Sequence, residues 1–284
     1  MRARIRNTEI YFDIDGVGLA AGSDRMVQRP ALFLLHGGPG GDHSSFKTQL
    51  APLRDTAQLV YIDHRGSGRS SAADPASYTL DENILDLEAL RDYLGLEHIS
   101  VLGFSYGGMV AQGYAIRFPD RVEKLILSAT APSYRFIKEA QQIVERLGTP
   151  EQQRVCQRLW NATFESEKQV REYYRTMGPM YSRKFNESKF EQGWTRGIRN
   201  FQQLNSGFGG FLKTFDFIDR LPEIHCPTLV LAGAHDWICP PSQSKLIARK
   251  IRNAELKVFA NSSHQIAHDE PERFLQVVRK FLTG

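Results

Sequence analysis

The 284-residue sequence predicts an α/β fold: a mostly parallel sheet flanked by helices and interrupted by a helical insertion. Three observations lead there. Compact apolar runs of strand length recur, several leaving through a glycine-containing loop and most followed by a helical pattern. One such run, from Ile99, passes through Gly103-Phe104-Ser105-Tyr106-Gly107 into small and apolar residues as far as Phe118, where Pro119 stops the helix. From 133 to 220 the strand runs vanish and helical segments dense in aromatic residues follow one another.

Residues 3–14 alternate in polarity and predict two edge strands turning near Asn7 and Thr8. Ala31–Leu35 is a continuous apolar run suited to a sheet covered on both faces, and it leads into His36-Gly37-Gly38-Pro39-Gly40-Gly41. Leu59–Ile62 is the next buried strand, ending at Asp63-His64-Arg65-Gly66-Ser67-Gly68-Arg69-Ser70; Asp63 and Arg65 are expected to brace that loop. A helix starts at Thr79 with Glu82 in capping-box position, and Ile84, Leu87, Leu90 and Leu94 share one face. The Ser105 segment and a strand at Leu125–Leu127 follow. Past the insertion, Thr228–Ala232 reads as a strand and Ser242–Ile251 as a helix. Leu256–Phe259 is then a strand, and a last helix from Asp269 carries Pro271 in its first turn with Phe274, Val277, Val278, Phe281 and Leu282 on one side. The chain thus divides into a core at 1–132, a helical insertion at 133–220 and a returning core at 221–284.

With 41% hydrophobic residues the chain can bury a substantial core, and its net charge of +4 is mild. No basic run interleaved with aromatics points to nucleic acid. Cys156, Cys226 and Cys239 have no metal-ligand or disulfide-framework spacing, so neither a zinc site nor a disulfide framework is expected. The glycine-rich loop at 36–41 lacks both the G-x-G-x-x-G and the G-x-x-x-x-G-K-[ST] pattern, so no cofactor is expected. The basic Met1–Arg6 stretch lacks the apolar region of a signal peptide, and no apolar run is long enough to span a membrane. The expectation is a cytoplasmic protein with a small-molecule or short-peptide substrate, no nucleic-acid partner and no membrane contact.

A serine hydroxyl becomes nucleophilic only when a base takes its proton and a carboxylate orients that base. Gly-x-Ser-x-Gly alone arises by chance in roughly one chain in ten of this length, but strand, sharp turn and helix around Ser105 make a nucleophile elbow. Asp236, just past the strand at 228–232, is the acid candidate; His264, after the strand at 256–259, is the base candidate. The order Ser, acid, His and the placement at strand C-terminal ends fit such a site. His268 is the competing base, read as a packing or capping residue because it adjoins Asp269; His235 is expected exposed, and His36 supports its loop. Oxyanion-hole amides are expected from Tyr106 and Gly38. Gly37, Trp237, Asn205 and Phe208 are candidate substrate contacts.

Taken together, His36-Gly37-Gly38-Pro39-Gly40, Asp63-x-Arg65-Gly66-x-Gly68-x-Ser70, Gly103-Phe104-Ser105-Tyr106-Gly107-Gly108, Pro227-Thr228-Leu229, Gly233-x-x-Asp236 and Ser263-His264 resemble the proline iminopeptidase branch of the α/β-hydrolases. The resemblance implies an α/β-hydrolase fold with a helical cap matching 133–220, and a metal-free serine hydrolase releasing an N-terminal residue, often proline, from short peptides. Many of those peptidases hold the substrate's amino group with glutamates from the cap and from beside the catalytic Asp. Here Trp237 follows Asp236, and 205–210 holds no acid. The insertion carries fifteen Lys/Arg against ten Asp/Glu, and Glu187 and Glu191 read as a solvated face. An esterase or lactonase on an uncharged acyl substrate is the second reading, and a non-catalytic ligand receptor on the same fold is the third.

Overall fold

The computed structural model describes residues 1–284. Ten strands form in chain order: β1 (Arg2–Ile5), β2 (Thr8–Asp15), β3 (Leu19–Ala21), β4 (Met26–Gln28), β5 (Ala31–Leu35), β6 (Gln58–Ile62), β7 (Ile99–Phe104), β8 (Val122–Ser128), β9 (Thr228–Gly233) and β10 (Ala254–Phe259). Eight make one sheet in the order β1-β2-β6-β5-β7-β8-β9-β10. Strands β5 to β10 pair in parallel, while β1 and β2 form the antiparallel edge expected from residues 3–14. A separate hairpin, β3–β4, was not anticipated, because its side chains are mostly exposed and show no alternating polarity.

The sheet separates two cores by the two-residue period of its strands. On β5, Phe33 and Leu35 face one cluster while Leu32 and Leu34 face the other; on β9, Val230 and Leu231 divide likewise. Helices α2 (Leu80–Tyr93), α3 (Tyr106–Arg117) and α9 (Pro241–Lys250) close the first face. Helix α11 (Pro271–Thr283) closes the second with Phe274, Val278 and Leu282, joined by Leu50 of the short helix α1 (Lys47–Leu50). Each fully buried aliphatic or aromatic side chain of this kind contributes about 1.5–3 kcal/mol relative to exposure. Helices α4 (Phe136–Leu147), α5 (Pro150–Asn161), α6 (Glu167–Tyr181), α7 (Glu187–Trp194) and α8 (Phe201–Gly209) lie between β8 and β9. The ends of that helical segment meet in an isolated bridge between Ser133 and Asp216.

Two local expectations are corrected. Thr79 caps α2 by accepting from the Glu82 amide, but the Glu82 carboxylate does not return to the cap; it pairs with Arg6 and Arg65 instead. Asp269 does not begin the last helix. It ends a short turn, α10 (Ile266–Asp269), and Pro271 opens α11, because a proline at the first helical position forfeits no hydrogen bond. No helix is long and apolar enough to cross a membrane.

Strand order reverses at β5, whose successors lie on opposite sides of it, and the glycine loop after β5 meets the turn after β7 at that switch point. The contact is close: a Cβ on Gly37 would sit 3.1 Å from the Ser105 Cβ.

Candidate active site

Ser105 is held in a conformation that serine avoids, with φ 52° and ψ −116°. Such strain costs about 1–3 kcal/mol and persists only where its surroundings impose it. Here the Ser105 amide donates to the Ser128 carbonyl at 2.9 Å, and the Thr130 hydroxyl donates to the Ser105 carbonyl at 2.7 Å. The flanking glycines permit the tight turn: a Cβ on Gly103 would lie 2.3 Å from the Gly107 carbonyl, and one on Gly107 2.3 Å from the Leu35 carbonyl. Tyr106 is the first residue of α3, so its amide has no acceptor within the helix.

The second amide is oriented by a buried histidine pair. The His64 amide donates to His36 Nε2 at 3.1 Å, so the His36 proton sits on Nδ1 and is donated to the Gly37 carbonyl at 2.7 Å. A peptide's C=O and N–H point in opposite directions. Turning the Gly37 carbonyl toward His36 therefore aims the Gly38 N–H away from it. The loop-supporting part expected of His36 thus acts through a single peptide plane. Around it, Asp63 accepts from His43 and from the Arg69 amide, while Arg65 forms a paired contact with Asp86.

That pair must stay neutral, since a protonated His36 would oppose a second N–H to the His64 amide. Burial holds both imidazoles below their ordinary value of 6.5, His64 well below, where the nearby His36 lowers it further. Below about pH 6.5 the unfolded chain binds protons that the folded chain refuses, so stability falls as pH falls. The melting temperature is expected to be flat from pH 8 to 7 and then to drop by about 2–6 °C between pH 6.5 and 5.5. His64→Phe should flatten that decline. A wild-type melting temperature unchanged across this window would contradict the neutral-pair account.

Asp236 lies past β9 and is buried. Its Oδ1 accepts from the amides of Ile238 and Cys239, both at 3.0 Å, which leaves Oδ2 to accept from His264 Nδ1 at 2.8 Å. That bond places the His264 proton on Nδ1 and frees Nε2 as a base. The His264 loop is tied down by Asp269, whose carboxylate accepts from the amides of Ser263, Arg183 and Lys184 and from the Ser182 hydroxyl. Burial alone would raise the Asp269 pKa, but the hydrogen bonds outweigh it and hold the group at about 2. Asp269 therefore fastens the helical segment after α6 to the loop bearing the candidate base. His268 is engaged at the same junction, with its Nδ1 3.1 Å from the Ser182 hydroxyl.

Ser105 and His264 both line one cavity of about 680 Å³ between the sheet edge and the helical segment, and Gly37, Gly38 and Phe208 line it too. No hydrogen bond joins Ser105 to His264; the two meet as walls of a shared space. Two expected substrate contacts are not brought there. Trp237 is buried against Trp160 and Tyr181, and Asn205 spends its amide on both backbone groups of Phe164. His235 is exposed, as expected, with Nε2 3.1 Å from the Ala260 carbonyl. Three residues were not anticipated. Tyr181 lies edge-on to His264 at 5.5 Å between ring centres. The Cys239 thiol sits beside Ser105, and burial, reinforced by the nearby Asp236 charge, pushes its pKa well above the ordinary thiol value. Arg199 lines the cavity from the turn before α8. Tyr181 and Arg199 are placed by how the helical segment folds back, for which the sequence carries no local signal. Cys239, by contrast, lies in the loop after β9, three residues past Asp236, a proximity that could have pointed to it.

Residues 30–271 match the family described as alpha/beta hydrolase fold. The chain is 32% identical over 279 residues to "Proline iminopeptidase PfmaB" of Pestalotiopsis fici, covering 96% of this chain and 98% of the relative. It is 29% identical to a proline iminopeptidase of Saccharolobus solfataricus, covering 98% and 90%. Among solved structures, a proline iminopeptidase of Mycobacterium smegmatis superposes with a TM-score of 0.78 at 23% identity, covering 100% of this chain and 97% of that one. An esterase of Exiguobacterium antarcticum superposes with 0.77 at 22% identity, covering 98% and 96%.

Proposed function

Since this chain belongs to the alpha/beta hydrolase fold family, in which it is similar to proline iminopeptidases, we propose that Ser105, His264 and Asp236 are its nucleophile, general base and orienting acid. The chain is a serine hydrolase; the reaction assigned here is cleavage of a small amide or ester through an acyl-enzyme. His264 Nε2 takes the Ser105 proton as Oγ attacks the carbonyl carbon. The amides of Gly38 and Tyr106 receive the developing oxyanion, which such donors stabilise by about 2.7–4 kcal/mol each. The imidazolium then protonates the leaving amine or alcohol, and a water activated by the same base releases the acyl group. The helical segment at 133–220 acts as the cap that closes the substrate cavity. One observation carries this reading: a strained Ser105 and an Asp236-bonded His264 open onto the same cavity.

The substrate's charge separates the peptidase from the esterase reading. A buried carboxylate that recognises a free α-ammonium gains about 1.5–3 kcal/mol per charge-assisted hydrogen bond, or about ten- to a hundredfold in kcat/KM. Glu187 and Glu191 do not line the cavity; each pairs with an arginine of α6, Arg175 and Arg171. Proline naphthylamide and its N-acetyl form are therefore expected to differ by less than tenfold, with a neutral short-chain ester turned over faster than either. A hundredfold preference for the free amine, abolished by Glu187→Gln or Glu191→Gln, would instead establish amine recognition.

A further inference from the structure

The charged groups around the cavity are unevenly distributed. Lys189, Arg196 and Arg199 line it, whereas Asp42 is its only carboxylate. Asp42 is already committed: Oδ1 accepts from the amide and hydroxyl of Ser44, and Oδ2 accepts from Arg69 and from the Ile198 amide. Lys189 and Arg196 are exposed at the rim, where water serves them. Arg199 is different. It is half-buried, and its guanidinium lies over the Trp194 ring at 3.9 Å from the ring centre. One of its five N–H groups donates to the Trp194 carbonyl at 3.1 Å, and no carboxylate lies within ion-pair distance. The chain's two most buried arginines, Arg65 and Arg91, are each paired with an acid, Asp86 and Glu88.

The backbone around Arg199 is fixed to the glycine loop. The Ile198 amide donates to Asp42, the Asn200 amide donates to the Gly40 carbonyl at 2.9 Å, and the Asn200 side chain donates to the Gly66 carbonyl at 2.9 Å. A Cβ on Gly40 would lie 2.2 Å from the Asn200 carbonyl, so the two backbones are in direct contact. The backbone that carries this unpaired planar fork is thereby held against the loop that bears Gly38, while the fork itself rests on Trp194. Such a fork matches a carboxylate through two parallel hydrogen bonds, and stacking on an indole leaves its edge free to make them.

We propose that the cavity selects small esters or amides that carry a free carboxylate away from the scissile bond, and that Arg199 is the residue that binds it. This rests on the hydrolase reading above and supplies its substrate class. The binding role of Arg199 is independent of Ser105 chemistry, since its guanidinium contacts the substrate and not the reacting atoms.

The test compares mono-4-nitrophenyl adipate with its methyl-capped form, each corrected for its own spontaneous hydrolysis. Both present the same aryl ester and differ only in the distant charge, and their kcat/KM ratio on one preparation cancels any difference in folded fraction. Wild type is expected to favour the free carboxylate by tenfold or more. Arg199→Gln should bring the ratio to within about twofold of unity. Arg199→Lys, which keeps the charge but loses the fork, should fall between. Turnover of the capped ester with a wild-type ratio below two, or a ratio that Arg199→Gln leaves unchanged, overturns the carboxylate assignment and leaves the hydrolase reading standing. Turnover of neither ester, together with no fluorophosphonate adduct on the protein, overturns both.

Discussion

Replacing Ser105 by alanine is expected to lower kcat on a short-chain nitrophenyl ester on the order of a million-fold, with the fold intact. In a unit-acting serine site, losing the nucleophile costs about as much as losing the whole triad. The Ser105 side chain makes no hydrogen bond that holds the elbow, because the anchoring contacts come from its backbone to Ser128 and Thr130. The melting temperature of Ser105→Ala should therefore stay within about 2 °C of wild type. The neighbouring Cys239 should not take over: burial keeps its thiol protonated at neutral pH, and the thiolate is the reactive form. Retention of more than one per cent of wild-type kcat in a preparation free of wild-type enzyme would move the nucleophile elsewhere.

Asp236→Asn is expected to cost about ten-thousand-fold in kcat with little change in stability. The cause is the tautomer. Asp236 Oδ1 is occupied by the amides of Ile238 and Cys239, so an asparagine there keeps its carbonyl oxygen toward those donors and turns its NH₂ to His264 Nδ1. Nδ1 must then accept, the ring proton moves to Nε2, and the base faces Ser105 already protonated. His235→Asn, one residue earlier and exposed, is the matched control and should lose less than threefold. A tenth or more of wild-type kcat in Asp236→Asn, measured alongside circular dichroism, would remove Asp236 from the site.

Local chemistry determined how much of this could be read from the chain. The apolar runs at 31–35 and 228–232 could be recognised as strands because both faces of a central parallel strand are buried, and they are. The glycines around Ser105 specified the elbow because only they tolerate the 2.3 Å approaches of its backbone. Asp236 and His264 followed from chain order, each at the C-terminal end of a strand that was itself identifiable. The cavity wall did not follow. Trp237 and Asn205 were expected in it because they lie close in sequence to the acid and the resumed core, yet indole packing and backbone hydrogen bonds turn them away. Arg199 and Tyr181 reach the cavity through contacts spanning much of the chain, such as Asn200 to Gly40 and Gln265 to Tyr181. Glu82 shows the same limit in miniature: its spacing from Thr79 suits a capping box, and two distant arginines draw it away.

The most direct measurement is intact-mass analysis after treatment with a fluorophosphonate, followed by peptide mapping. One adduct per chain is expected, on the peptide containing Ser105, formed quickly in wild type, more slowly in Asp236→Asn and not at all in Ser105→Ala. An adduct that forms on Ser105→Ala at the wild-type rate, or that maps to any other residue, would contradict it.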